Sequence, residues 1–411
     1  MIMKTMKIGD LTNKIGSGVT PRGGEKVYQL EGTSLIRSQN VYDYQFVKNG
    51  LVFIGEDVAA RMKGVEIYRN DVLINITGDS IGRCCIVPDD AIPARVNQHV
   101  CILRADRSRL NPRYLMYYLN EPMNKNQLLN QAHGGTRKAL TKGILESFEI
   151  NVPPLSIQER IVEILGSLDE KIELNRRMNE TFEQMAMALY KHWFVDFAPF
   201  EEFMDNDLPI GWRWGTLNEI SYVHKVQVDP SELDETCPYI GLEHMPKGNV
   251  TLEEWENSNK VTSHKFMFGK GDILFGKLRP YFKKVGVAPI DGVCSTDILV
   301  LKPLKNEYFG MLFGQVIQDA FIDYCTSTSG GTKMPRCDWK EMAKYNVPIP
   351  PDSIRNEFNQ KTAAFVDQIV ANIHENRALI ETRNYLLPRL LSGEIEVRAA
   401  EEQVEEVLAG G

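Results

Sequence analysis

Long apolar runs are missing from this sequence: no stretch of about 18 apolar residues occurs, so no membrane-spanning helix is expected. The first residues, MIMKTMKIGDL, are too polar for the apolar core of a secretory signal. The two absences together lead us to expect a cytoplasmic protein that does not engage a membrane. Cysteine is sparse and poorly spaced: Cys84, Cys85, Cys101, Cys237, Cys294, Cys325 and Cys337 form an odd set without a C-x-x-C pair. A disulfide framework or a zinc cluster needs better spacing, and the scattered histidines include no H-E-x-x-H. No G-x-G-x-x-G follows a strand, and no G-x-x-x-x-G-K-[ST] occurs. The Asn/Asp-Pro-Pro-aromatic tetrad of amino-methyltransferases is missing too, since Val152-Pro153-Pro154-Leu155 has the wrong ends. We therefore expect no metal site, no cofactor site and no catalytic residue in this chain.

What is present is a repeat. Residues 148–157 read FEINVPPLSI and residues 345–354 read YNVPIPPDSI, with a constant offset of 197. Upstream, DVLINITGDSIGRCCIVP (71–88) lies over DILFGKLRPYFKKVGVAP (272–289) at an offset of 201. The pairs Gly134-Gly135 and Gly330-Gly331 differ by 196. Three collinear matches with small drifts are what two copies of one domain with different loop lengths would give. Each copy begins with short β-branched runs bounded by Gly, Pro, Asn and Asp, which predict strands and turns. Each then reaches a Pro-Pro step, with Ser156 or Ser353 as the expected N-cap of a long helix.

Both helices carry a seam at three- and four-residue spacing. The central one runs Ile157, Ile161, Leu165, Leu168, Ile172, Asn175, Asn179, Phe182, Ala186, Leu189, Trp193. Adding 197 gives Ile354, Phe358, Thr362, Phe365, Ile369, Asn372, Asn376, Leu379, Arg383, Leu386, Leu390. One reading packs each helix on its own domain. The other is an antiparallel coiled coil in which the seam asparagines fix register, with Asn175 meeting Asn372 at the middle. Pro388 is expected to end or kink the distal helix near Leu387. The aromatic exit of the central helix, Trp193, Phe194 and Phe197, suits burial against the next domain or against a partner protein.

GDSIG (78–82) matches the G-x-S-x-G nucleophile elbow, with Ser80 as nucleophile and His99 or His133 as base. That motif requires a helix after the serine, whereas RCCIVP reads as a strand, and the second copy has RPYFK in its place. A hairpin turn fits both copies; a hydrolase site fits one. The second turn gathers Lys277, Arg279, Lys283 and Lys284 around Tyr281 and Phe282, and the first offers Asn75, Ser80 and Arg83. Basic and aromatic residues interleaved on a turn suit phosphate contact, base-edge hydrogen bonds and stacking. Arg137 and Lys138 after the first glycine pair, Lys333 and Arg336 after the second, and Arg37, Gln39 and Asn40 in LIRSQNV are further candidates for DNA contact. Bulk charge does not announce this. The net charge is −8, with a surplus of five positive charges in residues 1–150 and deficits everywhere after.

Several long strings resemble the specificity (S) subunits of type I DNA restriction–modification systems. They are LDEKIELNRRMNETFEQMAMALYKHWFVDF (168–197), LPIGWRWGTL (208–217) and ETRNYLLPRLLSGEIEV (381–397), with KGDIL (270–274) and YIGLEH (239–244) as lesser marks. The resemblance implies an α+β fold with two tandem β-rich α/β target-recognition domains, separated by two long helices forming an antiparallel coiled coil. On that basis we expect recognition domains over 1–152 and 198–349, helical spacers over 153–197 and 350–397, and a disordered acidic tail over 398–411. It further implies that each domain reads half of a bipartite site in double-stranded DNA. Two methyltransferase (M) subunits would bring S-adenosylmethionine, and restriction (R) subunits ATP and Mg. A helix of 36 steps spans about 54 Å at ~1.5 Å per residue, so half-sites about one DNA turn apart are expected. A serine hydrolase built on GDSIG and a protein-only coiled-coil scaffold are the alternatives.

Overall fold

The computed structural model describes residues 3–132, 138–331 and 333–409. The chain divides into two units, residues 1–170 with 379–411 and residues 171–378. We call them unit 1 and unit 2; both long helices contribute to each.

In unit 1 the first strand, Lys4–Lys7, closes the repeat on itself by pairing antiparallel with the last, Glu149–Val152. Between them lies an antiparallel sheet in the order Thr12–Ser17, Val100–Ala105, Val72–Asn75, Cys84–Ile86. A second sheet orders Tyr28–Gln29, Val52–Ile54, Thr33–Ile36, Ala94–Val96, the last two parallel. Val72–Asn75 and Thr33–Ile36 are buried along their whole length, so neither shows the in–out alternation of a half-exposed strand, and Thr33, Ser34 and Asn75 are carried into the interior with their apolar neighbours. Leu35, Ile54, Leu73, Cys85, Val96 and Ile102 form the core between these strands. The helix Pro112–Asn120 starts where Asn111 accepts from the amides of Arg113 and Tyr114, with Pro112 in the first turn.

Unit 2 repeats the plan. Arg213–Thr216 pairs with Asn346–Ile349, and the main sheet runs Ser221–His224, Ile298–Pro303, Ile273–Gly276, Val285–Val287. Even the buried ion pair is duplicated. Asp71 binds Arg104 through two bonds of 2.8 and 2.7 Å, and 201 residues on Asp272 pairs with Lys302 at 3.0 Å. The second sheet differs. Gly292–Cys294, counterpart of Ala94–Val96, sits between Lys265–Phe268 and Pro238–Ile240, whereas in unit 1 Thr33–Ile36 holds the middle place. The connection 241–264 is longer than its counterpart 37–51, which frees Lys265–Phe268 to pair with a more distant strand.

The two long helices are Leu155–Tyr190 and Asp352–Ser392. Their seam is buried as expected: Ile161, Leu165, Leu168 and Ala186 on one, Phe358, Thr362, Leu379 and Leu386 on the other. They pair antiparallel, but one turn away from the expected register. Asn175 Nδ2 donates to Asn376 Oδ1 (3.0 Å) and Asn372 Nδ2 to Asn179 Oδ1 (2.8 Å), so Asn175 does not meet Asn372. Midpoints of apolar stripes do not set register; the partners available to buried polar groups do. The helices also pack beyond each other: Ala186 and Tyr190 of one, and Val366 and Ile373 of the other, join the hydrophobic core of unit 2, so the two readings of the stripe hold together there.

Three further expectations are corrected. Ser156 and Ser353 lie inside the first turns, since the helices begin at Leu155 and Asp352. Pro388 does not end the distal helix, which continues to Ser392. Proline costs a helix one hydrogen bond, and here Leu386, Leu387, Leu390 and Leu391, all buried, hold the turn in place. The aromatic exit takes the first of its two expected places, burial against the domain that follows it: Phe194 meets Phe358 at 4.6 Å and Trp212 at 5.4 Å within unit 2. The acidic end is a helix, Val397–Ala409, docked through Ala400 and Val404 and by Glu401, which pairs with Arg160 at 2.8 Å. Its apolar stripe outweighs the charge of its exposed face.

Candidate nucleic-acid interface

Each main sheet ends in one hairpin turn, and the two turns share a backbone. In unit 1, Asn75 and Arg83 close the turn with a 2.9 Å amide bond; in unit 2, Gly276 and Lys284 do so at 2.8 Å. Within it, Ile81 N reaches Gly78 O at 3.1 Å, and Phe282 N reaches Arg279 O at 3.0 Å. Left-handed residues occupy the same two places. They are Gly78 (φ +81°) and Gly82 (φ +82°) in one copy, and Arg279 (φ +53°) and Lys283 (φ +50°) in the other. A side chain in that conformation costs on the order of 1–2 kcal/mol, which glycine avoids. Unit 2 carries this cost twice to place two cations on the turn.

The segments after the glycine pairs come back against these turns. Leu140 N donates to Ile76 O in unit 1 and Cys337 N to Lys277 O in unit 2, each at 3.0 Å. Candidates separated by some 55 residues thereby form one cluster. Arg279 donates to Lys333 O (3.4 Å), and Arg336 grips Asp297 through bonds of 2.9 and 3.1 Å, with Lys277 3.9 Å from the same carboxylate. The Arg336 guanidinium holds the Asp297 carboxyl below its ordinary range. Tyr281 projects from the tip, 47% exposed, edge-on to Phe282, whose ring Lys247 covers at 4.5 Å. Lys283 pairs with Asp319 at 2.5 Å. Lys284 turns inward to the carbonyl of Leu242, and burial lowers its pKa, with Lys247 adding to the effect.

The first turn is quieter. Arg83 lies 4.4 Å above the Tyr42 ring, and Ser80 is half-buried. Asn75 is fully buried; its Nδ2 donates to Ser38 O (2.9 Å), Val41 O (3.3 Å) and Ser80 Oγ (3.1 Å). Asn40 is equally buried, donating to Val47 O at 2.9 Å. These two asparagines, expected to face DNA, are interior posts that hold the loop 38–47 to the turn. Arg37 and Gln39 both donate to Gly50 O (2.6 and 3.2 Å), and Lys138 is exposed. Arg137 lies outside the described residues. Lys247, Tyr42 and Asp297 were missed by sequence reading. The repeat offset of 198 that places Asp297 over His99 was the available signal for the last.

Against known proteins, the model for "Type I restriction modification DNA specificity domain" matches this chain twice, over residues 3–184 and 209–382. The chain belongs to that family. Among curated specificity subunits, it is 25% identical to "Type I restriction enzyme MjaIX specificity subunit" of Methanocaldococcus jannaschii, over 95% of this chain and 93% of that one. It is 24% identical to the HindI specificity subunit of Haemophilus influenzae, over 80% and 87%. Its fold resembles the type I S subunit from M. genitalium, with a TM-score of 0.54 at 15% identity over 95% and 96% of the two chains. The α+β expectation of two tandem domains and a long helix pair thus agrees with the S-subunit fold.

The hydrolase alternative fails on geometry. Ser80 is followed by a turn and then the strand Cys84–Ile86, not by the helix that an elbow requires. Its hydroxyl accepts from Asn75, while the ring nitrogens of His99 meet Thr77 Oγ1 (2.6 Å) and the Gln98 amide (2.9 Å). His133 lies outside the described residues. No group of three or more His, Cys, Asp or Glu is arranged to hold a metal among the described residues.

Proposed function

We propose that this specificity-family chain is the DNA-reading subunit of a type I restriction–modification complex, each unit reading one half of an asymmetric bipartite target. The observation that carries the reading is the shared turn: the same closing bond and the same two left-handed positions in both copies, with different side chains on each. A scaffold that keeps its backbone and varies its tips suits two related readers of different sequences. Unit 2 presents Lys277, Arg279, Tyr281, Lys283, Lys333 and Arg336 around its turn, a set suited to phosphates and base edges. Unit 1 presents Ser80, Arg83 and Lys138, with fewer cations.

The long helices serve as spacer and as docking surface for two methyltransferase subunits; Leu155–Tyr190 carries a net charge of −3 and Asp352–Ser392 none, a balance that suits protein better than DNA. S-adenosylmethionine is then held by those subunits, and ATP and Mg by restriction subunits, leaving this chain non-catalytic. The complex works in the cytoplasm; among the described residues no helix is long and apolar enough to cross a membrane.

Sequencing methylated adenines in cells that carry the system tests this reading. The expected motif has two unlike halves separated by unspecified bases. A palindromic or uninterrupted motif would overturn it.

A further inference from the structure

A second basic feature of unit 2 lies beside the turn, and neither the family match nor the sequence reading assigns it. It is an open cavity of about 610 Å³ lined by Lys225, Lys340, Lys344, Trp339, Asn218 and Asp338, among others. Lys344 is neutralised by Glu341 at 2.8 Å, and Asp338 accepts from the Lys340 amide at 3.4 Å. The ammonium groups of Lys225 and Lys340 are exposed and have no acceptor among the described residues. Three lysines against Asp338 and Glu341 leave a local excess of one positive charge in a region whose net charge is negative.

The strand register places this cavity next to the turn. Ser221–His224 and Ile273–Gly276 both run antiparallel to Ile298–Pro303, with His224 opposite Val300 and Gly276 opposite Ile298. Lys225 and Lys277 therefore leave the sheet at the same end, where Asp297 sits. Arg336, bound to Asp297, is two residues before Asp338. The cavity and the turn are neighbours on one edge of unit 2.

Unit 1 lacks the feature although it shares the framework. By strand register Gly16 and His224 are equivalent, so Lys225 falls on Ser17; at the offset of 197 Trp339 falls on Lys142 and Lys340 on Gly143, and Lys142 is paired with Glu146 at 3.3 Å. The fold does not need these residues, since the other copy folds without them. What unit 2 gains is two free cations beside an indole face.

Resting on the DNA-reading function proposed above, we infer that this cavity grips the phosphodiester backbone flanking the half-site of unit 2. Lys225 and Lys340 each neutralise one phosphate, and Trp339 packs on the intervening deoxyribose. Such contacts hold position without reading bases. Removing two phosphate contacts makes the slope of log affinity against log salt shallower by about 1.8, at ~0.9 per contact.

The test uses the full chain in the complex in which it is purified. Affinity for a duplex bearing its methylation motif, and for one with the motif scrambled, is measured from 50 to 300 mM salt (~six-fold range, chosen for a linear slope). Wild type is compared with the exposed-site double variant Lys225→Ala/Lys340→Ala, whose folding is checked by thermal melting, and with Trp339→Phe. The expected result is a slope shallower by about 1.8 for both duplexes, an unchanged methylation motif, and a DNA-induced change in tryptophan emission that Trp339→Phe removes. If wild type shows no preference for its motif, the DNA-reading function falls and takes this inference with it. If wild type binds with preference but the double variant keeps the wild-type slope, only the inference falls. A Trp339 emission change on adding inorganic phosphate alone would assign the cavity to a free anion and overturn it likewise.

Discussion

Glu183 shows how one residue couples this fold to pH. It sits on the central helix, 8% exposed, with one carboxylate oxygen accepting from Val250 N at 3.1 Å. Burial pushes its pKa up to about 7, partly offset by that bond, with Glu180 adding a small further rise. A carboxyl whose folded pKa is raised binds its proton more tightly in the native state. Its contribution is fully present below the unfolded value near 4.5 and is lost as pH rises through about 7. Glu183→Gln keeps an acceptor for Val250 and removes the charge. It should raise stability at pH 8 by up to about 3 kcal/mol and leave it nearly unchanged at pH 5, as read from urea unfolding at the two pH values. At the same scale, Asn75 ties the turn to the loop behind it. Asn75→Ala should cost about 2–3 kcal/mol in unfolding experiments, because two carbonyls lose their only side-chain donor in the interior. Arg83→Ala, whose side chain lies on the surface ring of Tyr42, should cost less than about 1 kcal/mol.

At the scale of elements, the seam between the helices decides register through polar pairs instead of apolar ones. Asn372 and Asn179 share one 2.8 Å bond inside unit 2. Asn179→Leu strands the Asn372 amide and should destabilise by about 1–3 kcal/mol. Adding Asn372→Leu should recover most of that loss while relaxing the register, which cross-linking between the helices would report as more than one product. In unit 1 the same two helices meet at Asp169 and Arg383, 2.7 Å apart, with Tyr117 donating to Asp169 at 2.5 Å and Arg383 3.8 Å above the Tyr44 ring. Burial, then the Asp169 carboxylate, push the Tyr117 phenol well above its usual range, so it stays a donor. Arg383→Met leaves Asp169 without its cation and should cost about 3–5 kcal/mol. Sequence periodicity placed Arg383 on the seam, but an arginine among leucines gave no hint of its partner.

For the whole molecule, the two turns distribute charge unequally. Unit 2 concentrates its cations on a strained turn, whereas unit 1 spends glycines on the same backbone and keeps a single arginine there. Salt dependence of DNA binding should follow that asymmetry. Lys277→Ala/Arg279→Ala should make the log–log salt slope shallower by about 1–2, and Arg83→Ala by less than about 1. Equal effects from the two units would contradict the unequal loading of their turns. A chain of net charge −8 binds DNA through such local clusters, so the bulk sign carries little information about its partner.

The sequence by itself determined the duplication, the strands and hairpin turns of each copy, the helix pair and its seam. These rest on period, punctuation and self-similarity, which are properties of a one-dimensional string. Tertiary structure alone decided the rest. It shifted the helix register by one turn, because buried asparagines choose partners by reach and not by midpoint. It drew Asn40 and Asn75 inside, because loops need interior donors. It folded the acidic end into a docked helix and reordered one sheet of unit 2. It also set Lys225 beside Trp339, more than a hundred residues away, because strand register determines which ends of the chain share an edge.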